Sequence, residues 1–202
     1  MLRSGWLTTG AKAHALEAAI AKRVGARHAL AVNSATAALH LALEAWGIGP
    51  GDEVVVPTMT FTSCGEVCAY LGARVVLADV GDDGLLGPDQ LGAVATDATR
   101  AGIPVHLAGQ AVDVDTLRAA APNGFPRGRG ACLPADVRGV PTGRLGDAAA
   151  SSFYATTSPP RSSRFVELRT AHGTIGTQKR AQPATLEGGK VPTMVLTGAR
   201  RR

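Results

Sequence analysis

The sequence predicts an α/β fold in three layers, α/β/α, with a mostly parallel sheet covered by helices on both faces. Short strand segments alternate with helical segments between residues 11 and 121, and this alternation is the order that builds parallel sheets. The strand segments, such as "EVVVP" and "ARVVLADV", are almost uninterrupted apolar runs, which is typical of strands buried on both faces. A chain of 202 residues, 45% of them hydrophobic, is long enough for one substantial core.

Apolar spacing and turn residues define the individual elements. In residues 11–24, Leu16, Ile20 and Val24 recur at steps of four with Gly25 just beyond, so this segment is predicted to be an amphipathic helix. The same criteria predict helices over 34–46, 61–72, 87–95 and 113–121, and strands over 28–33, 53–57, 73–80 and 102–107.

The regular pattern is interrupted after Ala121. A further strand is due there, but residues 122–132, "PNGFPRGRGAC", place glycine, proline and arginine where β-branched residues are expected. Regular order returns in "GRLGDAAASSFYAT" (143–156), whereas residues 158–202 show no sustained period. We therefore expect a domain over 1–157, aberrant over 122–132, followed by a basic and disordered tail over 158–202.

The distribution of charge argues against several function classes. Residues 1–157 carry 12 basic and 14 acidic side chains, and residues 158–202 carry nine and two, so the net charge of +5 comes from the tail. The tail has one aromatic residue and no nucleic-acid-binding motif, so we expect no specific nucleic-acid binding. The apolar runs end well short of the ~18 residues that a membrane span needs. The N-terminal residues lack the apolar segment of a secretory signal, and a cytoplasmic location is predicted.

Two cysteines raise the question of a metal site. Cys64 and Cys68 are four residues apart and would share one face of the predicted helix. A second pair of ligands is not apparent near them, so we expect two buried, reduced thiols and no metal.

The stretch "AVNSATAALHLAL" is the first candidate for a binding site. A strand runs into an Asn-Ser turn and a helix starts at once, so the hydroxyls of Ser34 and Thr36 and the amides of Ala35 and Thr36 converge at the helix N-terminus. Such a terminus can bind a phosphate. Serine before a helix is also a common N-cap without any ligand, and the segment alone leaves both interpretations open.

Several segments together carry a family resemblance. They are "SGWLTTG" (4–10), "HALAVNSATAALHLALEAWGIGPGDEVVVPTMTFTS" (28–63), "LGARVVLADV" (71–80), "PVHLAGQ" (104–110) and "GRLGDAAASSFYAT" (143–156). In this order and spacing the chain resembles the DegT/DnrJ/StrS family of aminotransferases, which use pyridoxal 5'-phosphate (PLP) and act on nucleotide-linked keto sugars. The resemblance implies part of the large domain of a fold-type I PLP-dependent transferase, with a nucleotide sugar and an amino donor as substrates and a homodimer as the assembly.

The resemblance also implies which residues bind the cofactor. Ser34, Ala35 and Thr36 match the family segment that holds the phosphate, and Ser152 in "SFYAT" matches the serine that reaches the phosphate from the other side. Phe61 matches the aromatic residue that stacks on the pyridine ring, although a core phenylalanine opening a helix is an equal alternative. His106 lies in the "PVHL" segment, where we expect a satisfied core histidine.

The sequence departs from the family at two catalytic positions. The lysine that attaches the cofactor covalently should follow "SFYAT" directly, but that position holds Thr157, whose hydroxyl cannot replace an amine. The acidic partner of the pyridine nitrogen should fall between residues 121 and 133, where this chain has no carboxylate. Both departures are abrupt, and a disrupted reading frame in a truncated family member would explain them. A substitute lysine, Lys190 or Lys179, is an alternative.

Two main functions follow from these observations. The first is a sugar aminotransferase that is inactive by itself because of Thr157. The alternative is a non-catalytic remnant, or one half of a split enzyme, that binds the cofactor or a complementing chain. A nucleic-acid binder that uses the basic tail is a third hypothesis, which salt-dependent retention on DNA would support.

Overall fold

The structure of the protein is a computed structural model. It describes residues 10–24, 26–107 and 110–121, and the short stretches 125, 128–129, 136–137, 140–141, 146, 148–150, 165–166, 178–179 and 194–199. The helices of this part of the chain are α1 (Ala11–Val24), α2 (Ala35–Ala45), α3 (Ser63–Tyr70), α4 (Pro88–Val94) and α5 (Val114–Ala120). Each lies within a segment predicted to be helical.

A four-stranded parallel sheet forms the centre of the fold. Its strands are β2 (Glu53–Pro57), β3 (Arg74–Ala78), β4 (Thr99–Gly102) and β5 (Gly128–Arg129), in the spatial order β3-β2-β4-β5. Every residue of β2 is buried because it has a strand on each side and helices on both faces. The mostly parallel sheet predicted from the sequence is confirmed.

Alternate residues of β2 divide the core into two halves. Val54 and Val56 pack with residues of α2 and α3 in one cluster. Val55 points to the other face and packs with Leu91 of α4 and Leu117 of α5. Because successive side chains of a strand face opposite ways, this division shows helices on both faces and confirms the three-layer architecture.

The fourth strand differs from its prediction. The apolar run at 102–107 is predicted to form it, but β4 covers Thr99–Gly102. Ile103 donates its amide hydrogen to the Val55 carbonyl, and the run then continues as buried irregular chain. Pro104 has no amide hydrogen to donate, which prevents a regular ladder here although the neighbouring side chains are apolar.

The segment 122–132 contains a strand that its composition does not predict. Gly128 pairs with Ala101 and Arg129 with Gly102, both in parallel register. Phe125 packs against Gly102, since a Cβ atom added to Gly102 would lie 3.0 Å from the Phe125 Cζ atom. A two-residue strand needs only backbone hydrogen bonds, which explains why the missing β-branched residues do not prevent it.

The remaining strands form separate two-stranded sheets. β1 (Ala26–Val32) pairs antiparallel with β10 (Met194–Ala199), β6 (Asp136–Val137) with β7 (Val140–Pro141), and β8 (Phe165–Val166) with β9 (Gln178–Lys179). Three of these strands lie in residues 158–202, for which the sequence predicts a tail without packed structure. The sequence of β10, "MVLTGA", is mostly apolar or β-branched, so it can complete the backbone hydrogen bonds of β1. The division into a domain and a tail remains a prediction.

A buried carboxylate joins three strands at the amino end of the sheet. Glu53 in β2 accepts hydrogen bonds from the hydroxyls of Thr96 and Thr99, at 2.8 and 3.3 Å, and from the Arg74 guanidinium. Burial alone would raise the pKa of Glu53, but these hydrogen bonds and the charge of Arg74 together hold it below its ordinary value. The network is at the end of the sheet opposite to the candidate site described next.

Candidate functional site

The carboxyl ends of the parallel strands are the place where open α/β sheets bind ligands. β2 ends at Pro57, and residues 58–62 lead from it into α3. Asp79 follows β3, and the chain after β4 reaches His106. These loops lie side by side because their strands are adjacent in the sheet.

The first turn of α2 has the geometry predicted for Ser34. Ser34 is the N-cap residue in an extended conformation, and its hydroxyl oxygen accepts the amide hydrogen of Ala37 at 3.1 Å. Ser34, Ala35 and Thr36 are all half-buried, and Ala35 packs against the same core cluster as Val56. The first turn therefore lies over the same face of the sheet as α3, with its amide groups at a positive helix end.

Phe61 lies just before α3 and is 74% exposed. It is therefore not the core residue that the sequence left as an alternative. Its carbonyl accepts the amide hydrogen of Cys64 at 3.1 Å, which fixes the backbone at the start of the helix. An exposed aromatic ring at the ligand-binding end of a sheet is available to stack on a planar ligand.

His106 is buried at 3% exposure but only half satisfied. Its Nδ1 atom accepts the amide hydrogen of Val112 at 2.8 Å. Burial lowers the pKa of His106 to about 3, so the ring is neutral and its proton is on Nε2. Within the described part of the chain Nε2 has no hydrogen-bond partner. The prediction that His106 lies in the core is confirmed. The prediction that both ring nitrogens are hydrogen-bonded is wrong for Nε2, because the described residues around it offer no acceptor.

The two cysteines of α3 are buried and free, as predicted. Burial raises the pKa of Cys64, and the hydrogen bond from Thr60 offsets part of this effect. Burial and the neighbouring Cys64 raise the pKa of Cys68 to about 12. Both groups are therefore neutral thiols and poor nucleophiles. Across the described residues, no three His, Cys, Asp or Glu side chains are arranged to hold a metal ion.

Some polar contacts at this end of the sheet were not predicted. Thr58 donates its hydroxyl hydrogen to Asp79 Oδ1 at 3.2 Å, and Thr60 donates to Cys64 Sγ at 3.0 Å. Asp79 could have been noticed as a carboxylate directly after the apolar strand β3. The pairing of Thr60 with Cys64 depends on where the helix begins, and the sequence gives no clear signal for it.

Other predicted positions lie outside the described residues. These are Ser152, Thr157 and Lys190, and only the backbone of Lys179 is described, in β9. Their roles remain predictions. Ala148, Ala149 and Ala150, which precede Ser152 in the chain, are buried in the core beside α2 and β2.

None of the helices in the described ranges combines the length and the apolar character that a bilayer crossing requires.

The fold is that of the large domain of fold-type I PLP-dependent aminotransferases, of which the chain covers part. The model of the DegT/DnrJ/EryC1/StrS aminotransferase family matches residues 1–158, and the chain belongs to this family. The resemblance noted in the sequence is thereby confirmed, as is the partial fold-type I architecture.

Several relatives are similar over a large part of the chain. The spore coat polysaccharide biosynthesis protein SpsC of Bacillus subtilis (strain 168) is 44% identical in an alignment of 164 positions that covers 77% of this chain and 41% of SpsC. The structure of S. venezuelae DesV matches with a TM-score of 0.72 at 30% identity. The match covers 97% of this chain and 46% of the DesV chain. DesI, solved in the presence of its TDP-sugar product, matches with a TM-score of 0.68 at 36% identity. This match covers 77% of this chain and 41% of the DesI chain. The chain thus spans less than half the length of these relatives.

Proposed function

We propose that this chain is the cofactor-binding part of a PLP-dependent aminotransferase that transfers an amino group to a nucleotide-linked keto sugar. The observations that carry the proposal are the serine-capped start of α2 at Ser34 and the exposed ring of Phe61 just before α3. Family membership and relatives such as SpsC, named for polysaccharide biosynthesis, and DesI, solved with a TDP-sugar product, support the sugar substrate class.

The described residues fit the two chemical parts of PLP. The hydroxyl of Ser34 and the amides of Ala35 and Thr36 provide hydrogen-bond donors at a positive helix end, which suits a phosphate. The Phe61 ring provides a face for stacking on a pyridine ring. When bound, PLP supplies an electron sink for the carbon that carries the amino group.

The residues of this chain perform binding and orientation rather than covalent attachment. The helix N-terminus binds the phosphate, with Ser152 as a further donor, and the Phe61 ring orients the pyridine plane. Thr157 stands where the family has its lysine, and a hydroxyl cannot form the carbon–nitrogen bond that a lysine amine forms. We therefore propose that the chain alone binds PLP non-covalently and is inactive, or acts with a complementing chain.

The test is binding of PLP followed by borohydride reduction and peptide mapping. We expect saturable binding that Phe61→Ala weakens, and no lysine adduct after reduction. Tyr70→Ala is the matched control, because Tyr70 is also an exposed aromatic residue but lies at the far end of α3. An adduct on Lys190 or Lys179 would contradict the non-covalent part of the proposal. The absence of saturable binding would contradict the cofactor role.

Exposed apolar side chains support the proposal that the chain self-associates or pairs with another chain. Among the described residues the large exposed hydrophobic side chains are Leu30, Leu41, Met59, Phe61, Tyr70 and Leu77. Exposed apolar surface favours association. We expect a homodimer or larger species in sedimentation, and a monodisperse monomer with a cooperative thermal transition would contradict this.

A further inference from the structure

The segment between β2 and α3 is held by hydrogen bonds on both sides of Phe61. Before the ring, Thr60 donates its hydroxyl hydrogen to Cys64 Sγ at 3.0 Å. After it, the Cys64 amide donates to the Phe61 carbonyl at 3.1 Å. Cys64 is 7% exposed and packs in the core, so it is a fixed point for the exposed residues that precede it.

The chain just before Thr60 also contacts the neighbouring loops. The amide of Thr58 donates to the Ala78 carbonyl at 2.8 Å, and its hydroxyl donates to Asp79. The sulfur of Met59 lies over Gly84, since a Cβ at that glycine would be 3.3 Å away from it. Residues 58–61 are therefore attached at several points before any ligand binds.

We propose that Thr60 is a positioning residue that orders the Phe61 ring through Cys64, so that the ring is set in advance for a planar heteroaromatic ligand. The inference rests on the proposed function, in which that ligand is PLP. A ring on a loosely held segment loses more conformational freedom when it binds, and this loss weakens affinity. The neutral state of the buried Cys64 thiol is consistent with its role as the sulfur acceptor.

The hydrogen bond can be removed almost without a change of shape. Thr60→Val keeps the branched side chain and deletes the donor, whereas Thr60→Ser keeps the donor. Thr62→Val is the matched control, because Thr62 is exposed and makes no capping hydrogen bond with its side chain. Circular dichroism and thermal unfolding establish that each variant is folded.

Two measurements on the full chain then test the inference. The first is amide hydrogen exchange of residues 59–65 without ligand, and the second is the dissociation constant of PLP. For Thr60→Val we expect exchange to be faster and PLP binding to be weaker, each by roughly 3-fold to 10-fold, the range for one lost hydrogen bond. We expect Thr60→Ser and Thr62→Val to stay close to the unmodified chain.

The outcomes separate this inference from the proposed function. If Thr60→Val binds PLP as tightly as Thr62→Val does and exchanges equally slowly, Thr60 does not position the ring and the inference is wrong, while the cofactor role stands. If the unmodified chain binds no PLP, the proposed function fails, and the exchange rates alone decide whether Thr60 orders Phe61. Faster exchange with unchanged PLP affinity would also overturn the inference, because order would then be irrelevant to binding.

Discussion

Replacing His106 by asparagine should remove a pH-dependent part of the stability. Burial lowers the pKa of His106 to about 3 in the folded chain, whereas an unfolded histidine titrates at roughly 6.5. The unfolded chain therefore binds the proton first as the pH falls, so stability is complete above the unfolded pKa and decreases below it. At about 1.36 kcal/mol per pH unit, the loss between about pH 6.5 and pH 5 is about 2 kcal/mol.

Asparagine is the matched substitution because its carboxamide oxygen can replace Nδ1 as the acceptor for the Val112 amide and does not titrate. Urea unfolding at pH 7 and at pH 5 gives the free energy of unfolding for both chains. We expect His106→Asn to lose about 2 kcal/mol less than the unmodified chain between these pH values. This window lies above the range in which Glu53 changes the stability, since an unfolded glutamate titrates at roughly 4.3 and the folded pKa of Glu53 is lower still.

His28→Asn is the control for the other histidines, since His28 is exposed on β1. Between pH 7 and pH 5, the free energy of unfolding of His28→Asn should fall by as much as that of the unmodified chain. Equal losses in His106→Asn and the unmodified chain would refute the reasoning, because they would show that His106 takes up a proton in the folded state as readily as in the unfolded state.

Three further predictions concern single residues. Gly84→Ala should lower the free energy of unfolding by about 1–2 kcal/mol, because Gly84 has a φ of 75° and an added Cβ would crowd Met59; an unchanged thermal midpoint would contradict this. Ser34→Ala should lower it by about 1 kcal/mol through loss of the cap to Ala37, whereas Ser34→Asp should keep the cap and weaken PLP binding by charge repulsion, which titration with PLP measures. Glu53→Gln should make the free energy of unfolding depend less on pH in acid. The lowered pKa of Glu53 gives stability that is present above the pKa of the unfolded state and is lost as the pH falls through the pKa of the folded state. An equally steep pH dependence in urea unfolding would exclude this role.

The sequence correctly predicted the helices and strands that are defined by the spacing of their own apolar residues and by the turn residues beside them. α1 has the predicted bounds, and so does β2, because the spacing of apolar residues and the flanking turn signals both agree with the final structure. The prediction of β4 was wrong because apolar character alone placed it, and Pro104 interrupts the ladder. The order of elements called for a strand where β5 lies, but the composition argued against it, because the pairing is supplied by β4 rather than by the side chains of β5.

At the candidate site, the sequence located the capped start of α2 and the position of Phe61. It could not decide whether Phe61 is buried, since exposure depends on which residues of the fold cover the ring. It also did not indicate that Thr60 contacts Cys64 or that one nitrogen of His106 has no partner in the described chain, because both depend on distances between packed side chains.

The sequence by itself determined the α/β class and the family, because alternating apolar segments and short motifs are local properties of the chain. Only the tertiary structure decided which carbonyls and amides pair across strands, which rings are exposed and which titratable groups are desolvated. The physical reason is that the exposure of Phe61 and the lowered pKa of His106 both depend on the atoms that surround them, and residues distant in sequence supply those atoms.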